Sequence, residues 1–469
     1  MGDVVVVVPG IMGSTLRAGD RLVWSSSPGT VLEGVRTFGR HVKALTLPDG
    51  VGDDHPGDDV EPKGLMPTLH ALPGIWTPVT GYSSLLRRLH NMGYREAGAD
   101  AEAPPGNLVP FPYDWRLSNR YNSARLRTVV EVALERWRDH GDGENANARL
   151  VFVCHSMGGL IARHYIEHGG ADYTRRLITL GTPFRGAAKA AVQLVNGVRK
   201  GLGPLGIDLT GFARSLPSLH QLLPSYGFLD NGTGPLLSLA ETSLPLLNGA
   251  MVRDGAAFHD EIDRRAAARA GGLDQLHAIV GARQPTVTTV RIIGDTVEGL
   301  ETYRAAESGP PDQDFGDGTV PAAGAVPTGA PLSTNVAHHV IEMHDNLQAN
   351  TAALDAVQGA IEARDVVRKD APPATSPRLR LPEMVLQDEP VPVVVDLDGD
   401  IRRPIRLTIT NEAGRVVDAR SPRAVEGRIT STVTALEPGA YRLTVSGTAP
   451  APGVGSVTAA LVVWPRNRP

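Results

Sequence analysis

Leu150-Val-Phe-Val-Cys-His-Ser-Met-Gly-Gly-Leu-Ile161 is the stretch on which the fold turns. It opens with a short apolar run containing Val151 and Val153, the mark of a strand buried on both faces of a sheet. It passes into apolar residues at helical spacing, Leu160, Ile161, Tyr165 and Ile166. Between the two lies Cys154-His-Ser-Met-Gly158, a small-x-Ser-x-Gly pattern. A strand that turns sharply into a helix around a serine is a nucleophile elbow. The turn is tight, so the residues two before and two after the serine must be small. The Ser156 Oγ then stands above the sheet edge, and the positive end of the following helix points at it. Cys154 takes the place of the usual first glycine and is expected to pack there as a small apolar residue.

Working outward, Val4–Val8 is a β-branched run ended by Pro9-Gly10. Leu177–Leu180, Val290–Ile293 and Val336–Ile341 share its look. Helical stripes separate these runs. Leu126, Val129, Val130, Ala133, Leu134 and Trp137 make one; Tyr82, Leu85, Leu86, Leu89 and Met92 make another; Leu347, Leu354, Val357 and Ile361 make a third. Strands alternating with helices predict an α/β fold, an α/β-hydrolase core around a mostly parallel sheet, over residues 1–366. Two insertions break the alternation: a Gly/Pro/Asp-rich stretch at about 25–75, expected as a lid, and an interrupted helical stretch at about 187–285, expected as a cap. Ala371-Pro-Pro-Ala-Thr-Ser-Pro377 marks a linker over 367–382. Short alternating strands at 391–395, 405–410, 429–433, 441–445 and 456–463 predict a small C-terminal all-β sandwich, immunoglobulin-like, over 383–469. Asp398-Gly399 reads as one of its turns.

An elbow serine needs a base and an acid, in the chain order Ser, Asp or Glu, His. His344 follows the last core strand candidate and opens the final helix, which makes it the expected base. His338 and His339 compete, but they lie inside a strand pattern. Asp317, in Asp314-Phe-Gly-Asp-Gly-Thr-Val-Pro321, is the expected acid; Asp314 and Asp295 stay open as alternatives. Acyl transfer also needs two oxyanion donors. The Met157 N–H follows the nucleophile, and the Ile11 N–H lies in the loop after the first strand.

Composition removes several classes. With 46 basic and 51 acidic residues the net charge is −5, so no basic surplus points to nucleic acid. With 52 glycines and 37 prolines the chain is too turn-rich for a coiled coil or a helical bundle. The single cysteine excludes an internal disulfide framework and a multi-cysteine zinc site. His55, His70, His164 and His168 show no zinc-ligand spacing, so neither a metal nor a cofactor is expected. Gly201-Leu-Gly-Pro-Leu-Gly206 lacks the strand that a dinucleotide site requires before it. Asp396-Leu-Asp-Gly-Asp400 has Leu407 where a calcium loop needs Glu, and reads as a hairpin turn. No cationic leader precedes Val4–Val8, and no run approaches about 18 apolar residues, so a cytoplasmic location is the expectation.

Residues 4–365 resemble the lecithin:cholesterol acyltransferase family, which includes lysosomal phospholipase and the phospholipid:diacylglycerol acyltransferases. Val8-Pro-Gly-Ile-Met-Gly-Ser-Thr-Leu16, Phe111-Pro-Tyr-Asp-Trp-Arg116 and His155-Ser-Met-Gly-Gly159 carry the resemblance. Gly181-Thr-Pro-Phe-Arg-Gly186, Gly316-Asp-Gly-Thr-Val-Pro321 and His344 with Leu347 extend it. It implies Ser156 as nucleophile, Asp317 as acid, His344 as base, and Ile11 and Met157 as oxyanion amides. It also implies a glycerolipid ester as substrate, an acyl-enzyme, and water or a lipid alcohol as acceptor. The family's animal members are disulfide-bonded, which this chain cannot be internally. Leu72, Ile75 and Trp76 are expected either to contact lipid from the lid, as part of a peripheral membrane contact, or to pack onto the core. Two other readings stay open. One is an esterase for a small soluble ester. The other is an inactive hydrolase-fold binding protein whose β module recruits an unidentified partner.

Overall fold

The computed structural model describes residues 2–25, 45–67, 80–97, 105–140, 143–197, 199–200, 207–271, 273, 275–301, 316–328, 337–363, 375–399, 404–434, 436–448 and 453–465. Its centre is a six-stranded sheet. The strands are β1 (Val4–Val8), β2 (Leu108–Pro110), β3 (Leu150–His155), β4 (Thr174–Leu180), β5 (Gln275–Ala282) and β6 (Ala337–Ile341). They lie in the order β2-β1-β3-β4-β5-β6, and every neighbouring pair is parallel. All five valines of β1 and all six residues of β3 are buried. That is what continuous apolar strands become when helices cover both faces. The helices that bear on the site are α1 (Ser83–Asn91), α2 (Asn119–Arg138), α3 (Gly158–Tyr165), α4 (Ala188–Asn196), α5 (Gly249–Ala268) and α6 (Thr351–Glu362). Side chains of Ser118, Asn248 and Asn350 cap α2, α5 and α6, each accepting a first-turn N–H.

The fold is the expected α/β class, with two differences in the strand set. Val290–Ile293 is not a core strand. Thr289–Ile293 pairs with Thr296–Leu300 in an antiparallel hairpin and with Leu229–Asp230, outside the central sheet. Its second half is only partly covered, with Ile293 exposed, which a doubly covered strand would not tolerate. The fifth core strand is β5, inside the stretch expected as cap. Its buried stretch is only the short run 278–281, which single-sequence periodicity does not separate from a helix segment. The other strand absent from the sequence reading is β2. It is three residues long and ends in Pro110, and an edge is where a sheet accepts proline. The stretch expected as cap is therefore interrupted from residue 275 by β5. It contains α4, two short helices (Thr210–Ser215 and Pro217–His220) and α5.

In the expected lid stretch, Val60–Leu65 pairs with Ser14–Ala18, which also pairs with Arg21–Trp24. Leu72, Ile75 and Trp76 lie outside the described residues. Arg116 ties the lid stretch to the core. It is fully buried, donates to Asp114 at 2.7 Å and reaches Asp58 at 2.8 Å. Removing one partner from a buried pair of this kind costs about 3–5 kcal/mol, because a charge is left uncompensated.

The C-terminal residues form two facing sheets. One holds β7 (Thr375–Arg380), β9 (Val391–Gly399) and β12 (Arg428–Val433). The other holds β8 (Met384–Leu386), β14 (Val457–Trp464), β13 (Gly439–Gly447), β10 (Ile405–Asn411) and β11 (Val416–Arg420). Inward residues such as Val393, Val395, Leu407, Leu443 and Leu461 build their own core. Thr375–Arg380, read from its prolines as linker, is a strand. Pro377 sits on the edge strand of its sheet, where a missing N–H is harmless. Asp398-Gly399, read as a turn, still belongs to β9 and pairs with Thr375 and Ser376. The sandwich sits directly on the α/β core. Gln284 donates to the Pro377 carbonyl and accepts from the Leu379 N–H, and Ile341 and Met343 pack against the sandwich interior. Among the described residues no helix is long and apolar enough to cross a membrane.

Candidate functional site

The strand order reverses at β1. The chain leaves β1 toward β2 on one side, and leaves β3 toward β4 on the other. The loops after β1 and β3 therefore part at the carboxyl end of the sheet and leave a crevice, the usual ligand position in an open parallel sheet. Register aligns the two loops. Val8 pairs with Cys154, so Gly10 comes level with Ser156. A methyl group at Gly10 would stand 2.9 Å from the Ser156 Cβ.

Ser156 has a φ of +52°, the strained left-handed conformation of an elbow. The turn closes only because Gly158 has no side chain; a Cβ there would stand 2.4 Å from the Pro9 carbonyl oxygen. Cys154 is fully buried, and burial pushes its thiol well above the ordinary range, so it stays protonated. It behaves as a small apolar residue under the turn.

The structure brings Ser156, His344 and Asp317 into one hydrogen-bonded chain. The His344 Nε2 lies 2.8 Å from the Ser156 Oγ, and the His344 Nδ1 lies 2.7 Å from the Asp317 Oδ2. All three residues are buried. The other carboxylate oxygen of Asp317 accepts from the Thr319 and Val320 N–H groups, and the Asp317 carbonyl accepts the His344 N–H. A carboxylate can only accept here, so the His344 Nδ1 carries the proton and Nε2 offers a lone pair to the Ser156 hydroxyl. The alternatives sit elsewhere. His338 and His339 are half-buried on β6, and Asp295 is exposed in the hairpin after Ile293. Asp314 lies outside the described residues.

Met157 follows Ser156 directly, and Ile11 follows Gly10, which comes level with that serine. Neither N–H donates to a described residue. Their loop is firmly held. The Tyr113 hydroxyl donates to the Pro9 carbonyl, the Tyr113 N–H to the Ser14 Oγ, and the Trp115 indole to the Ser14 carbonyl. The motif Pro112-Tyr-Asp-Trp-Arg116 thus braces the loop that carries Ile11.

Two further residues were legible only as something else. Tyr82 reads as a member of an apolar stripe, and His155 as the variable position of the elbow. The structure links them in a chain. The Gly10 N–H donates to the Tyr82 hydroxyl at 2.7 Å, and that hydroxyl meets the His155 Nδ1 at 2.9 Å. The His155 Nε2 meets the His344 carbonyl at 3.0 Å. A carbonyl accepts, so the His155 Nε2 carries the proton and Tyr82 donates to Nδ1. Burial, followed by the nearby His344, pushes the His155 pKa down to about 3, so the ring is neutral. The chain joins the β1 loop, the elbow and the His344 backbone. Tyr82→Phe leaves the Gly10 N–H and the His155 Nδ1 unpaired in a dry site. We expect a loss of about 1–3 kcal/mol in stability and about tenfold in turnover, read by urea unfolding and a steady-state ester assay. Wild-type values in both would remove this role.

Residues 49–239 match the lecithin:cholesterol acyltransferase family. The matched segment contains Phe111–Arg116, the elbow and Gly181–Gly186, and it ends before Asp317 and His344. It supports a hydrolase or acyltransferase of lipid esters. No curated protein matches the chain. Among solved structures, the crystal structure of the Tle4-Tli4 complex is similar at 15% identity and a TM-score of 0.49, covering 76% of this chain and 98% of that one. The PmoD soluble domain from a Methylocystis species aligns at 11% identity and a TM-score of 0.15, over 18% of this chain and 78% of its own. The sulfur carrier protein SoxY from Chlorobium limicola aligns at 18% identity and a TM-score of 0.14, over 19% of this chain and 75% of its own.

Proposed function

We propose that the protein is a serine-dependent acyl hydrolase or O-acyltransferase of lipid esters, with Ser156 as nucleophile, His344 as base and Asp317 as the acid that orients it. The observation that carries this reading is the unbroken chain from the Ser156 Oγ through His344 to Asp317, at 2.8 and 2.7 Å. The family match over the elbow supplies the lipid ester.

The chemistry runs in two balanced steps. The Ser156 Oγ attacks the ester carbonyl carbon while its proton passes to the His344 Nε2. The carbonyl oxygen becomes an oxyanion between the Ile11 and Met157 amides, each donor of this type being worth about 10²–10³ in turnover. Collapse breaks the bond to the alcohol, which leaves with the proton from His344. Water or an alcohol then gives its proton to His344 and attacks the acyl-enzyme, and Ser156 recovers its proton as the product departs. Asp317 stays ionised and stabilises the imidazolium in both steps.

The test is incubation with an acyl-labelled phospholipid in vesicles, with and without a long-chain alcohol. Labelled free fatty acid in both arms makes the protein a hydrolase. A labelled ester that appears only with the alcohol makes it a transferase. Neither product, under conditions where a fluorophosphonate labels Ser156, removes phospholipid from the reading.

A further inference from the structure

Away from Ser156, at the far end of α3, His164, His168 and Glu261 meet. Their ligand-type atoms lie within 4.8 Å of one another, the one such group of three among the described residues. His164 lies in α3, His168 in the π turn Ile166–Gly170 that continues it, and Glu261 in the cap helix α5. The two imidazoles are stacked, with centroids 3.8 Å apart and planes 18° apart.

Both rings are anchored through Nδ1. The His164 Nδ1 meets the Ser123 Oγ at 2.9 Å, and the His168 Nδ1 meets the His164 carbonyl at 2.7 Å. A carbonyl accepts, so the His168 Nδ1 carries a proton. This leaves each Nε2 for the space in front of Glu261. The His168 Nε2 takes it up at 2.5 Å from the Glu261 Oε1. The His164 Nε2 is buried 3.9 Å from that same oxygen and has no hydrogen-bond partner. A buried imidazole nitrogen with no partner, aimed at a carboxylate, needs an explanation.

We propose that His164, His168 and Glu261 bind one divalent zinc ion, which staples the helix after the elbow to the cap. Two imidazoles and a carboxylate form a donor set that zinc takes, with water in the fourth position. The imidazole Nδ1 contacts are the outer hydrogen bonds that fix ring orientation in metal sites. On binding, the proton of the His168–Glu261 hydrogen bond leaves to solvent, and Nε2 and Oε1 turn to the cation. The His164 Nε2 supplies the third bond and gains the partner it lacks. Two arginines face the same carboxylate. Arg120 donates to the other oxygen at 2.9 Å and orients Oε1 toward the histidines. Arg265 stands 3.8 Å from Oε1 with half its side chain in water, where its repulsion is screened. This departs from the sequence reading, which expects no metal here: the two histidines stand at i, i+4, but the carboxylate that completes the set comes from 93 residues away and cannot be paired with them from the sequence.

The full chain, stripped with chelator, is titrated with zinc against a colorimetric chelator. The expected result is one equivalent of zinc and a Tm about 2–5 °C above the stripped protein. His164→Ala and Glu261→Gln should each abolish both effects and leave ester turnover within twofold of wild type. Cobalt(II) added to wild-type protein should give the intense visible absorption of a four-coordinate site, a reading that needs no variant to fold. Less than a tenth of an equivalent, no such cobalt band, or equal zinc binding by the variants would overturn the proposal.

Discussion

Ser156→Ala is expected to lower turnover of an acyl ester by about 10⁴–10⁶-fold and to leave the fold in place. The size follows from what is lost. Without the Oγ no acyl-enzyme forms, and the His344 Nε2 faces a methyl group. Binding and the oxyanion amides remain, so a residual rate above water is expected. The fold survives because the backbone contacts do not involve the hydroxyl. The Ser156 N–H still donates to the Leu180 carbonyl, and alanine meets the same left-handed backbone that serine already bears. A fluorophosphonate should label wild-type protein and not the variant, at equal Tm. Turnover within tenfold of wild type would move the nucleophile elsewhere in the chain.

The elbow was legible because its constraints are local. Steric demands on Cys154 and Gly158, and the switch of apolar period across Ser156, all fall within a dozen residues. Chain order then points to Asp317 and His344, and the last core strand places His344; the strand read before Asp317, Val290–Ile293, lies outside the central sheet. What was not legible depends on distant partners. Thr289–Ile293 has a core strand's composition, and only the hairpin to Thr296–Leu300 shows that it lies outside. β5 was hidden inside a helical stretch because its buried run is short. Tyr82 looks like any stripe residue until Gly10 and His155 are found at its hydroxyl. Pro377 read as linker because an edge strand tolerates what a central strand does not. The contact between the sandwich and the His344 loop joins residues more than 100 positions apart, and no periodicity announces it.

That contact carries the second large prediction, which concerns Glu342. Glu342 and Asp345 bracket His344, and both are buried. Glu342 accepts four hydrogen bonds: from the Met343 and Thr458 N–H groups and from the Asn346 and Asn350 amides. Asp345 accepts the Ala460 N–H at 2.8 Å. Thr458 and Ala460 belong to β14, so the last strand of the sandwich holds the two residues that flank the proposed base. Glu342→Ala strips four donors of their acceptor in a dry interface. We expect it to cost about 3–5 kcal/mol and at least tenfold in turnover, because His344 loses the frame that aims it. Burial pushes the Glu342 pKa up to about 7, against the pull of its four donors. Between its ordinary value of 4.5 and 7 the folded protein keeps a proton that the unfolded chain has released. The unfolded state binds fewer protons there, so stability falls as pH rises through this window, by about 3 kcal/mol for this group. Asp345, also raised by burial, adds a slope of the same sign. Glu342→Gln keeps the shape and removes the titration, so its stability should fall less between pH 5 and pH 8 than that of wild type. Urea unfolding of both proteins at the two pH values measures the difference. Parallel pH dependence in the two would mean that Glu342 is ionised throughout, and that the sandwich grips the His344 loop equally at both.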